Sequence, residues 1–151
     1  MKVVATLAIA AAAITLAAPA SAQFAKPEDA VKYRQSAMFI MGQNFGRIGA
    51  MVNGKAPYDP AAAAASADIV ATMSHLPWPG FQASTSSVTQ TKAKPEIYTE
   101  QAKFKQASER LQNEAPKLAA AAKTNNLDTL KAQFGETAKT CKNCHDDFRN
   151  K

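Results

Sequence analysis

Cysteine and histidine are scarce in this chain of 151 residues, which has two of each. Two cysteines cannot build a disulfide framework. A zinc site needs four ligands. With no second C-x-x-C, it would have to be completed by His75 and carboxylates. Glycine (6) and proline (8) are too few for a collagen-like or low-complexity chain. Charged residues make up 20% against 46% apolar, which excludes a disordered tail. The formal charge of +6 is spread along the chain, and nothing in it points to nucleic acid. The length suits one domain, so a multidomain enzyme and a polytopic membrane protein are excluded as well.

One long apolar run is present, at the start. Lys2 supplies a positive first region, Val3 to Ala18 are apolar, Pro19 ends the run, and Ala20-Ser21-Ala22 reads as an A-x-A cleavage signal. Residues 1–22 are therefore expected to be a secretory signal peptide removed after Ala22. The alternative is an uncleaved anchor, because the run approaches a short membrane span. Residues 23–151 are expected to form the working protein, exported to a bacterial periplasm and free of the membrane after cleavage.

Beyond that run, the period-two alternation of a strand is absent and helical spacing is plain. Pro27-Glu28-Asp29 marks a helix start. Val31, Arg34, Met38, Met41, Phe45, Ile48 and Val52 then alternate at spacings of three and four, a sustained apolar seam that Asn53-Gly54 ends. Asp59 and Pro60 open a second helix, with Ala62, Ala65, Ile69, Met73 and Leu76 as its expected inner face. Segment 77–94 follows; it is long for a bundle connection and is expected to cover something. A third helix is expected from Pro95-Glu96, with a seam of Ile97, Gln101, Phe104, Ser108, Leu111, Ala115, Leu118 and Ala122, kinked at Pro116. Asn126 caps a fourth, whose face is Leu127, Leu130, Phe134, Ala138, Cys141, His145 and Phe148. The fold class is all-α, an antiparallel four-helix bundle.

The two cysteines fall within Cys141-Lys142-Asn143-Cys144-His145, the C-x-x-C-H signature of covalent haem attachment. Residues i, i+3 and i+4 of a helix share a face. Cys141 and Cys144 can then form two thioethers to one haem while His145 offers its imidazole as the axial iron ligand. A Cys141–Cys144 disulfide and a thioredoxin-like thiol pair are the competing readings, but the second wants a βαβ context that this chain lacks.

Those features together resemble the cytochrome c′ family. The resemblance covers residues 23–151 and is carried by QFAKPEDAVKYRQSA (23–37), GKAPYD (54–59), LPWPGF (76–81), KPEIY (94–98) and CKNCHDDFR (141–149), matching in order. It implies one covalently bound haem c, a homodimer, and an iron with His145 as its only protein ligand. It further implies binding of nitric oxide and carbon monoxide, discrimination against oxygen, and a role in nitric oxide handling or in electron transfer with redox partner proteins. The Arg-Gln pair of the YRQ segment, Arg34 and Gln35, is placed against the haem. Arg34 sits in an apolar seam, and a buried guanidinium is costly without an anion such as a haem propionate; the competing reading has it reach a rim carboxylate.

Met38 falls where the family sets the side chain over the open iron face. It is read as an unligated distal wall, with axial ligation in a low-spin, six-coordinate electron carrier as the second reading. Trp78 is expected on the haem edge or in the core. Arg149, one turn beyond His145, is expected near the proximal side, or else as a helix-end cation. Lys92 and Lys94 are placed near a propionate or in solvent. An oxidase or peroxidase would want a distal acid–base pair, which is not evident, so the chain is read as a binding and redox protein rather than an enzyme.

Overall fold

The computed structural model describes residues 23–151, so the expected signal peptide lies outside the described residues. Five helices follow one another: α1 (Pro27–Val52), α2 (Pro60–Met73), α3 (Glu96–Thr99), α4 (Gln101–Ala122) and α5 (Leu127–Phe148). Among the described residues there is no strand, only an isolated antiparallel bridge between Ala93 and Arg149. The four long helices form an antiparallel bundle in which α1 packs on α2, α2 on α4, α4 on α5 and α5 back on α1. No helix of the described residues is long and apolar enough to cross a membrane.

Local chemistry explains where the helices begin. Asp59 accepts a hydrogen bond from the Ala62 amide, and Asn126 from the Thr129 amide, each satisfying a donor that the first turn leaves free. Pro27 and Pro60 open α1 and α2, where a missing N–H costs nothing. The α1 seam is formed as its spacing predicts, with Val31, Arg34, Met41, Ile48 and Val52 buried. Met51, off that seam, is buried too, and its sulfur accepts from the Asp59 amide at 3.5 Å.

Two expectations are corrected. The inner face of α2 is Ala63, Ser66, Ala67 and Val70, while Ala62, Ala65, Ile69 and Leu76 are exposed. A run of alanines carries almost no phase information, so the exposed Ile69 and Leu76 misplaced the stripe by about one residue. The third helix is broken: Glu100 leaves helical geometry at φ −108°, ψ 46°. That break separates Ile97, which is buried, from Gln101, which is exposed. Helix α4 runs on through Pro116, the residue expected to kink it. Pro116 is exposed, so the carbonyl it leaves without a donor can be hydrated.

Candidate functional site

The last turns of α5 present Cys141, Cys144 and His145 to a cavity of about 550 Å³. That volume lies within the roughly 300–1,000 Å³ of sites that hold a bound small molecule or cofactor. Its walls are largely apolar. Met38, Met41 and Phe45 come from α1, Val70 from α2, and Phe104, Ala107 and Leu111 from α4. Trp78 and Phe81 come from segment 77–94, which therefore does cover something. Phe81, Phe104 and Phe148 stack edge to face in sequence, with ring centroids 4.9 and 5.2 Å apart.

Both cysteines are half-buried and are not joined to each other. Burial pushes the Cys144 thiol up to about 11, with the neighbouring Cys141 and Asp147 adding to the effect. Burial likewise raises Cys141. A thiol–disulfide catalyst lowers its nucleophile instead, so the thioredoxin-like reading is not supported. His145 moves downward, first through desolvation and then through the Arg149 charge. A neutral imidazole has the lone pair that a metal ligand needs. Among the described residues, no three His, Cys, Asp or Glu side chains gather as a zinc site would require.

The charged lining is of one sign. Arg34, Lys92 and Arg149 reach the cavity, and no aspartate or glutamate does. Arg34 is 2% exposed. Its Nη1 donates to the Gly80 carbonyl at 2.8 Å and to Thr85 Oγ1 at 3.0 Å, and its Nη2 donates to Thr91 Oγ1 at 3.2 Å. Its guanidinium carbon lies 4.4 Å from the Phe81 ring centroid. It takes part in none of the ion pairs among the described residues, so the reading in which it reaches a rim carboxylate fails.

The other candidate residues divide. Gln35 lines the cavity and donates to the Gln90 carbonyl at 3.0 Å. Trp78 lines it while donating its indole N–H to the Ser74 carbonyl at 2.6 Å, so it serves site and core together. Met38 lines it half-buried, and Lys92 lines it from an exposed position. Lys94 does not line it: its amine donates to the Asp146 and Asp147 carbonyls at 2.9 and 3.1 Å, neutralising the end of α5. His75 is exposed and contacts Gln112.

Two thiols and an imidazole on one wall, a large apolar void and a buried cation without an anion suit a flat, hydrophobic, carboxylate-bearing cofactor. The family model described as Cytochrome C' matches residues 29–149. The chain belongs to the cytochrome c′ family. Cytochrome c′ from Alcaligenes xylosoxydans xylosoxydans is 47% identical over 85% of this chain and 99% of its own. That from Rubrivivax gelatinosus is 43% identical, covering 85% and 100%. The solved structure of the Rubrivivax gelatinosus protein matches with a TM-score of 0.81, over 85% of this chain and all of its own. A nitric oxide complex of an Alcaligenes xylosoxidans cytochrome c prime variant matches at 0.78, with 46% identity. Cytochromes c′ carry covalently attached haem c, and that is the cofactor of this chain; the C-x-x-C-H signature of Cys141, Cys144 and His145 stands on the cavity wall.

Sequence reasoning missed Gly80, Thr85, Thr91 and Tyr98. The sole local signal was Gly80 within LPWPGF: a Cβ there would meet the Ala30 carbonyl at 2.7 Å and Arg34 Cβ at 2.9 Å. Only glycine lets the loop backbone approach α1 so closely.

Proposed function

We propose that this cytochrome c′ is an exported, periplasmic gas-binding protein whose iron takes His145 as its one protein ligand and binds nitric oxide or carbon monoxide. When bound, the haem supplies an iron able to hold a small gas. The chain's own residues decide which gas is favoured. The observation that carries the reading is the α1 wall. Beyond Arg34 and Gln35 in its first turns, that wall is lined by Met38, Met41, Gly42 and Phe45, and none of these four offers a side-chain hydrogen-bond donor. Bound oxygen is polar and loses stabilisation without a donor, whereas nitric oxide and carbon monoxide lose less. The relatives solved with nitric oxide support the same choice of ligand.

The lining has no carboxylate to pair with a base, which supports binding and electron transfer rather than catalysis. The second reading makes Met38 a sixth ligand in an electron carrier, since its thioether belongs to the same wall. An optical spectrum of the reduced, haem-loaded protein separates the two. A high-spin spectrum that changes on adding carbon monoxide is expected. A low-spin spectrum unmoved by the gas would establish the Met38-ligated form. The protein is further proposed to be a homodimer. Ile40, Ile69 and Leu76 are large apolar residues left 38–42% exposed, which supports a covered face, and sedimentation of the holoprotein reads the mass.

A further inference from the structure

Arg34 is the most enclosed charge of the site, and its surroundings are more specific than an incidental burial requires. A guanidinium has five N–H donors. Nη1 is shared among the Gly80 carbonyl, Thr85 Oγ1 and, at 3.4 Å, the Tyr98 hydroxyl. Nη2 gives one proton to Thr91 Oγ1. The second Nη2 proton and the Nε proton have no partner among the described residues.

The hydroxyl protons around it can be assigned. Thr85 gives its proton to the Gln82 carbonyl at 2.7 Å. The 2.7 Å contact between Tyr98 and Thr85 must then be donated by Tyr98. Thr91 Oγ1 accepts from the Ala93 amide at 3.1 Å as well as from Arg34. Each of these oxygens thus turns a lone pair, not a proton, toward the cation. Thr85 is fully buried, and its hydroxyl meets Gln82, Tyr98 and Arg34 together. Burying a hydroxyl is costly unless it is bonded, and these contacts satisfy it while leaving a lone pair for Arg34.

We propose that Thr85, Thr91 and Tyr98 are positioning residues: together with the Gly80 carbonyl they hold the Arg34 charge at the cavity wall and leave two N–H donors for a carboxylate of the bound haem. Neutral acceptors fix the guanidinium without cancelling its charge. An aspartate in their place would fix it equally well and remove its attraction for that carboxylate. The long segment between α2 and α3 is needed because it brings Gly80, Thr85 and Thr91 to one point on α1. The inference rests on the haem assignment and not on whether iron is five- or six-coordinate.

The test is the midpoint potential of the haem-loaded protein. A cation beside the haem disfavours the ferric charge, so Arg34→Leu is expected to lower the potential and sets the scale. Thr85→Val and Tyr98→Phe, which remove hydroxyls at nearly constant volume, are expected to lower it by a measurable part of that amount. Thr85→Ser is expected to restore it. Ser84→Ala, at an exposed neighbour, is expected to leave it at the parent value. Should Thr85→Val fail to fold, Tyr98→Phe and Thr91→Val carry the same expectation. A merely structural role would lower thermal stability and leave the potential unmoved; parent potentials in the hydroxyl variants, or in Arg34→Leu itself, overturn the proposal. A parent protein that ignores carbon monoxide would overturn the gas-binding reading alone, because the potentials are read without a gas.

Discussion

At one end of the bundle Ile48, Leu118 and Leu130 are fully enclosed by Val52, Ala63, Ala67, Ala115 and Ala122. At the other, Ile97, Ala107 and Phe148 are the buried residues, and Phe81, Phe104 and Cys144 are only partly covered around them. The first region is a core completed by side chains alone. The second is arranged about a void, and its aromatic rings face the space where the cofactor belongs. The two regions meet at Met41, Val70 and Leu111, which belong to the first cluster and also line the cavity.

Removing the cofactor's covalent tether should break that contrast most sharply. With Cys141 and Cys144 both changed to serine, the denatured chain is expected to lose all haem absorbance, where the parent keeps it. In the haem-free variant, amide exchange is expected to quicken at Ile97, Ala107 and Phe148 while Leu118 and Leu130 stay protected. Uniform loss of protection along the bundle would show that the two ends are one cooperative unit.

A deletion within the completed core tests the other side. Leu118→Ala is expected to cost about 2–5 kcal/mol of unfolding free energy, because the closely packed alanines around it cannot collapse into the space. Denaturant titration of the holoprotein measures it. The carbon monoxide spectrum should be unchanged, since Leu118 does not line the cavity. A changed spectrum would tie the two regions together.

How much of this was legible beforehand follows from the same contrast. The seam of α1 and the face of α5 were readable because large apolar residues recur at helical spacing against polar ones. The C-x-x-C-H signature was readable because the chemistry it points to demands three residues at fixed offsets. The face of α2 was not, because alanine is tolerated inside and outside alike. Nor was the loop: Thr85 and Thr91 lie in a Ser/Thr-rich stretch that reads as solvated, and only the fold brings them to Arg34. The seam position of Arg34 did show that a partner was required, but not that neutral oxygens would be gathered to meet it.

The smallest expected effect concerns Glu114, whose carboxylate joins the two helices that run from one region to the other. It accepts from Lys117 at 2.7 Å on α4 and from Gln133 at 2.7 Å on α5. These two bonds hold its pKa below the ordinary 4.5, against a smaller opposing effect of burial. A carboxyl depressed in the folded state stabilises above its unfolded value, and that stabilisation is lost as pH falls through the folded value. Glu114→Gln should thus be less stable than the parent near neutral pH, by up to about 1 kcal/mol for so accessible a pair. The difference should shrink toward zero as the medium is acidified to about pH 3. Unfolding free energies of both proteins across that interval give the answer. A gap that persists at the acid end would mean that the Gln133 contact acts through packing of α4 on α5, and that the charge adds nothing to the seam between the finished core and the open one.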